Sequence, residues 1–187
     1  MVILDIQNRN QFRKWLMHNA TKENECWLNV KRGEPIDPTT FYYLDAVEEA
    51  LCFGWIDSSY KKVDDVALQR FTPRKKNSLW TEKNKERVRR LEKLGLMTDL
   101  GRAVLPDMNI STFKIDKDVE QALIDNGCFD IFKKFPPLYQ RIRAYNVTFY
   151  KTRNHQMYTK ALDHLIEETI KGNMFGEWND YGRLLDY

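Results

Sequence analysis

The first part of the chain alternates between apolar and polar positions in a pattern that predicts two short strands and a helix. Residues 2–6 and residues 25–31, ECWLNVK, have the alternation of half-buried strands. Between them, residues 7–10 begin a helix whose apolar positions recur with helical spacing. A turn that contains two prolines follows at residues 35–38 and leads into a longer helix.

The most apolar helix of the pattern extends from about residue 39 to residue 53. Its apolar positions cover most of the circumference, so only Asp45, Glu48 and Glu49 face away from the core in a helical projection. We expect these three carboxylates to be solvated. Catalytic carboxylate pairs need environments that separate their pKa values, so a solvated face does not support acid/base catalysis.

A hairpin and a basic helix follow this apolar helix. Gly54 ends the helix, and the next residues alternate around a turn at 63–65, which predicts a β-hairpin that Pro73 closes. The segment after Ser78 then has helical periodicity and is rich in Lys and Arg.

The rest of the chain predicts four further helices, of which the last ends at Gly172. The whole pattern therefore predicts an α+β fold, in which a small antiparallel sheet with a β-hairpin packs against several helices. We expect residues 1–110 to form this core domain. Residues 111–187 should form a helical C-terminal part that packs on it.

Composition restricts the class of protein. The 187 residues are 42% hydrophobic and 30% charged, which is typical of a globular domain. No apolar run reaches the roughly 18 residues that a bilayer span requires. The N-terminal residues MVILDIQNRNQFRKW lack a basic leader followed by an apolar core and small residues, so we expect a cytoplasmic protein with no membrane span.

Cysteine and histidine spacing gives no sign of a metal or a cofactor. Cys26, Cys52 and Cys128 are far apart and contain no CxxC pair, and the three histidines are scattered. We expect all three cysteines to be reduced and to contribute packing only, because their sequence neighbours are apolar.

Two polar residues of the basic helix lie on its core-facing side. Asn84 and Arg87 share a helical face with Trp80 and Leu91, so both should be mostly buried. Without partners, each would cost roughly 1–3 kcal/mol or more. One interpretation is a buried structural Arg–Asp pair, for which Asp57, Asp64 and Asp65 are the nearest carboxylates in sequence.

The alternative interpretation is a pocket for a small anionic or polar ligand. The hairpin would bring its polar residues beside the N-terminus of the basic helix, where Ser78 or Thr81 would be the cap and free N–H groups favour an anion. Aromatic walls combined with polar groups are typical of ligand sites. The candidate ligand-binding residues are Trp55, Asp57, Arg70, Arg74, Trp80, Asn84 and Arg87.

Basic residues are concentrated in one region, which supports a second functional hypothesis. Lys61 to Lys93 contains twelve Lys or Arg residues against five Asp or Glu residues, whereas the whole chain has a formal net charge of +3. Such a region could bind nucleic acid non-specifically, with Phe71 and Trp80 available for stacking. A solvated helix face explains the same charges, and no helix-turn-helix, zinc-finger or RNP-like motif favours nucleic acid.

Three motifs in the middle of the chain resemble the YdeI/OmpD-associated family, also called bacteriocin-protection proteins. These motifs are AVEEALCFGWIDS, LQRFTPRK and SLWTEKNKERVRRLEKLGLMT, and the later segments GRAVLPDMN, FPPLYQRIR and EWNDYGRL resemble the C-terminal part of some members. The resemblance implies a role in envelope stress and in resistance to bacteriocins or antimicrobial peptides. It implies no established reaction and no catalytic residues, and the chain lacks the common signatures of nucleophilic or nucleotide-binding enzymes.

Overall fold

The computed structural model describes residues 2–185 and 187, which divide into two compact units of an α+β protein. The first unit contains residues 2–79, 87–107 and 187, and the second contains residues 80–86 and 108–185. The α+β class predicted from the sequence is confirmed. None of the helices in these residues combines the length and apolar character needed to cross a bilayer.

A four-stranded mixed sheet forms the first unit together with its helices. The strands are β1 (Ile3–Leu4), β2 (Cys26–Leu28), β3 (Trp55–Val63) and β4 (Val66–Pro73), and their order in the sheet is β1-β2-β4-β3. β1 runs parallel to β2, whereas the other pairs are antiparallel. The small antiparallel sheet expected from the sequence is therefore a mixed sheet, because a helix connects β1 to β2 and such a crossover permits parallel pairing.

The helices of the first unit follow the predicted order. They are α1 (Arg9–Asn19), α2 (Tyr43–Cys52) and the short α4 (Asp99–Arg102), together with the residues from 87 onward of α3 (Glu82–Lys93). The hairpin of β3 and β4 is also confirmed, and Asp64 and Asp65 at its turn have φ angles of 46° and 64°. Two consecutive positive φ angles are typical of the type I′ turn that joins tightly paired strands.

The acidic face of α2 is buried, which contradicts the expected solvation. Asp45, Glu48 and Glu49 are 8%, 0% and 2% exposed. Glu49 accepts hydrogen bonds from Arg9 at 2.6 Å and from Arg13 at 2.8 Å. A helical projection describes only the residues of α2, and the cations that cover this face come from other segments.

The second unit is helical. Its helices after residue 108 are α5 (Lys117–Asp125), α6 (Phe129–Phe132), α7 (Pro137–Tyr150) and α8 (His155–Ile170), and a 3₁₀ turn precedes them at Ile110–Thr112. Their apolar faces enclose a core of which Phe132, Tyr139 and Leu165 are fully buried members. Trp178 and Leu184, which come after α8, are buried in the same core.

Candidate functional site

The structure separates the candidate residues that the sequence grouped. Trp55 is 1% exposed and lies in the core of the first unit. Its indole Nε1 donates to the carbonyl oxygen of Ala20 at 3.0 Å, and its ring meets the Trp15 ring edge-on with centroids 5.7 Å apart. Trp55 is therefore a core residue whose polar atom is satisfied, and it does not form a pocket wall.

Asp57 and Arg70 lie on opposite faces of the sheet. Asp57 is the cross-strand partner of Phe71, so it shares a face with Phe71, whereas the neighbouring Arg70 points to the other face. There Arg70 forms an ion pair with Glu25, with an N–O distance of 2.6 Å, and lies 6.0 Å from the centroid of the Trp27 ring. Arg70 is thus paired with Glu25 and does not share a site with Asp57.

Arg74 orders the loop that precedes α3. Its side chain is buried, and its Nη1 donates to Ser78 Oγ at 3.0 Å and to the carbonyl oxygen of Leu79 at 3.2 Å. Because these contacts hold the loop against the end of β4, they give Arg74 a structural role.

Two further candidates, Trp80 just before α3 and Asn84 within it, belong to the second unit. Trp80 is buried there and Asn84 is half-buried. The backbone N–H of Asn84 donates to Thr81 Oγ1 at 3.1 Å, so Thr81 rather than Ser78 is the N-cap of α3.

One group of the first unit contains both Asp57 and Arg87. The Tyr43 hydroxyl, at the start of α2, donates to Asp57 Oδ2 at 2.6 Å. Burial raises the pKa of Tyr43 and the Asp57 carboxylate raises it further, whereas Arg87 and Arg32 act in the opposite direction. Arg87 is 9% exposed, which confirms its expected burial. The phenol consequently remains a hydrogen-bond donor at neutral pH.

Arg32 belongs to the same group, although no sequence pattern indicated it. Its guanidinium carbon lies 4.5 Å from the centroid of the Tyr43 ring and 5.4 Å from that of Tyr60. Its Nη2 donates to Gln69 Oε1 at 2.6 Å. Within residues 2–185 and 187, no carboxylate oxygen lies within 4 Å of this cation.

A β-bulge positions the acceptor of Arg32. The pairing of β3 with β4 shifts register between Asp57 and Tyr60, which leaves the carbonyl groups of the intervening serines outside the regular ladder. Gln69 is 3% exposed, and its Nε2 lies within hydrogen-bond distance of the Ser59 carbonyl oxygen at 3.2 Å. The Gln69 amide therefore bonds the bulge with its nitrogen and directs its oxygen to Arg32.

A small open cavity adjoins this cation. Its volume is about 230 Å³, and it is lined by Val30, Arg32, Tyr60, Ala67 and Gln69. Organic ligands usually occupy cavities of roughly 300–1,000 Å³, so this volume suits a small anion better. We call Arg32, Tyr43, Tyr60 and Gln69 the Arg32 site. The burial of Gln69 could have been predicted from the sequence, because Gln69 is two residues before Phe71 and therefore lies on the same core-facing side of β4.

The basic region is extensively paired with carboxylates. In the first unit Lys62 contacts Asp65 at 2.6 Å, and in the second unit Lys85 contacts Glu82 at 3.0 Å. Further ion pairs join Lys83 to Asp180, Arg70 to Glu25 and Arg90 to Glu48. These pairs reduce the positive potential available to a polyanion. Nucleic-acid binding stays a prediction that no contact here favours.

The three cysteines are free, buried thiols. Burial raises the pKa of Cys26 and of Cys52 to about 12, and it also raises the pKa of Cys128. None of them is therefore activated as a nucleophile. Among the described residues, no three His, Cys, Asp or Glu side chains are grouped as metal ligands.

Comparison with known proteins gives one result. A family model described as a domain of unknown function, DUF8412, matches residues 4–104 of the chain. No curated protein and no solved structure matches the chain significantly. The matched residues include every member of the Arg32 site.

Proposed function

The chain belongs to the DUF8412 family, because the match covers more than half of its 187 residues, and we propose that its matched domain binds a small oxyanion. The observation that carries this proposal is the Arg32 guanidinium, which is fixed by aromatic rings and an amide but has no carboxylate partner among the described residues. The site supplies a cation and hydrogen-bonding groups, and on this basis we propose a binding function.

The contacts of Arg32 favour recognition of an anion over simple solvation. A guanidinium carries five N–H donors in a planar fork, and Gln69 takes only one of its nitrogens. The rings of Tyr43 and Tyr60 restrict its orientation, which reduces the entropy lost when an anion binds. The remaining donors can form the bidentate pair that phosphate and carboxylate groups prefer.

The neighbouring Asp57 carboxylate forms no ion pair with Arg32. Its carboxylate accepts the short hydrogen bond from Tyr43, and its oxygens lie more than 4 Å from the Arg32 nitrogens. Asp57 therefore orients the phenol while Arg32 remains the anion receptor. Together with the resemblance to bacteriocin-protection proteins, this leads us to propose that oxyanion binding serves a cytoplasmic response to envelope stress or antimicrobial peptides.

Isothermal titration calorimetry with inorganic phosphate, and separately with acetate, tests the proposal. Arg32→Met removes the receptor, and Arg102→Met is the control, because Arg102 carries the same charge in the first unit but pairs with Glu92 and Asp99. We expect the wild-type protein and the control to bind at least one of the two anions and Arg32→Met to bind it at least tenfold more weakly. Equal affinity of all three proteins, or no binding by any, contradicts the proposal.

A further inference from the structure

The second unit contains a cavity lined by its own residues. Its volume is about 440 Å³, which is within the range of roughly 300–1,000 Å³ that organic ligands occupy. Aromatic side chains of Phe149, Tyr150 and Phe175 line it, together with the aliphatic Ala161 and Leu165. The cavity can therefore hold an organic molecule that presents a ring.

One lining residue, Arg143, carries a charge. Its guanidinium carbon lies 4.2 Å from the centroid of the Phe175 ring and 5.2 Å from that of Tyr139. Its Nη2 donates to the carbonyl oxygen of Phe175, whereas its Nε is buried and has no hydrogen-bond partner. No carboxylate oxygen within the described part of the chain lies within 4 Å of it.

The segment after α8 passes close to the Arg143 guanidinium at Phe175 and Gly176. Gly176 has a φ angle of +64°, and a Cβ atom added there would lie 2.7 Å from Arg143 Nη2. A residue with a side chain would thus meet both backbone strain and a clash with the guanidinium. The Phe-Gly sequence at 175–176 allows the ring and the carbonyl group of Phe175 to contact Arg143.

The environment of Arg143 is unfavourable for an isolated cation. Burial lowers the pKa of its guanidinium, although an arginine remains charged at neutral pH. Arg143 is half-buried, and Glu177 acts on its charge only from beyond 4 Å, so the charge is incompletely compensated, while the buried Nε donor lacks an acceptor. An anionic group in the cavity would compensate the charge.

We propose that the second unit binds an aromatic carboxylate in this cavity. The aromatic ring lies among Phe149, Tyr150 and Phe175, and the carboxylate pairs with Arg143. All four of these residues lie outside the matched residues 4–104, and Thr81 is the one lining residue within them, so the proposal is independent of the Arg32 site and goes beyond it.

Calorimetric titration of the full chain with 2-naphthoate, and with neutral 2-naphthalenemethanol as the matched probe, tests this proposal. We expect 2-naphthoate to bind the wild-type protein more tightly than the alcohol does. Arg143→Met should weaken 2-naphthoate at least tenfold and leave the alcohol unchanged. Lys133→Met, which removes the same charge from an exposed position of this unit, should bind both probes like the wild type.

Ala161→Phe provides a second variant that fills the cavity and retains Arg143. It should lose 2-naphthoate and the alcohol together, and it decides the question if Arg143→Met does not fold. Arg32→Met should bind 2-naphthoate normally, so failure of the Arg32 site does not affect this test. Absence of 2-naphthoate binding, equal binding of both probes by the wild type, or retained 2-naphthoate affinity in Ala161→Phe would overturn the proposal.

Discussion

The buried carboxylate of Glu49 should be a major determinant of the stability of the first unit. Its Oε1 accepts from Arg9 Nε at 2.9 Å and from Arg9 Nη2 at 2.6 Å, and its Oε2 accepts from Arg13 Nη1 at 2.8 Å. Glu49→Gln preserves the shape of the side chain but removes its charge. Two guanidinium groups then lose their principal anionic partner.

The magnitude follows from the burial of each member. Breaking a fully buried ion pair by removing one partner costs about 3–5 kcal/mol. The side chains of Arg9 and Arg13 are 34% and 27% exposed, so water would recover part of their solvation. We therefore expect Glu49→Gln to lower the free energy of unfolding by about 2–3 kcal/mol.

Urea denaturation followed by tryptophan fluorescence measures this change. Glu92→Gln is the matched control, because Glu92 pairs with Arg102 on the surface and their side chains are 35% and 46% exposed. The control should cost less than about 1 kcal/mol. If Glu49→Gln costs no more than Glu92→Gln, the assignment of a buried charge network is wrong.

Three further predictions concern a glycine of α4, the reactivity of the cysteines and the amide of Gln69. In α4, Gly101→Ala should destabilise the protein by at least about 2 kcal/mol, because its Cβ would overlap the Cys52 carbonyl oxygen, whereas helix propensity alone favours alanine. Gly95→Ala is the control. A Cβ atom at Gly95 would meet no atom within 4 Å, so this substitution should cost only the strain of the φ angle of +69°, about 1 kcal/mol. A larger loss of stability at Gly95 than at Gly101 would refute this comparison. All three cysteines should resist Ellman's reagent at pH 8 in the native protein and react in urea, and rapid reaction of any native thiol contradicts their burial. Gln69→Leu should weaken phosphate or acetate binding several-fold in calorimetry, because Arg32 loses its fixed acceptor, and unchanged affinity would remove Gln69 from the site.

Elements whose signals are local could be predicted from the sequence. The hairpin was found because its turn and its alternation lie within one short segment, and α2 and α3 were found from helical periodicity. The parallel pairing of β1 with β2 depends on strands more than twenty residues apart, which no local pattern specifies. Burial of Glu48 and Glu49 likewise depends on arginines from other segments.

The candidate site was predicted only in part, for the same reason. Helical projection correctly placed Arg87 in the interior, and Asp57 lies in the same group through Tyr43. The position of Arg32 could not be inferred, because Arg32 is an exposed residue of a loop and is held by rings and an amide from three different elements. Local patterns show which face a residue occupies, but they do not show which distant side chain meets it.

Oxyanion binding at Arg32 is tested most directly by NMR of the arginine side chains. Sodium phosphate, and separately sodium acetate, is titrated at constant ionic strength while the Nε–H resonances of Arg32 and Arg102 are followed. A saturable shift of the Arg32 resonance with at least one anion, accompanied by little change at Arg102, is the result that we predict. No shift at Arg32 with either anion, or the same non-saturating drift at both arginines, would contradict the existence of the site.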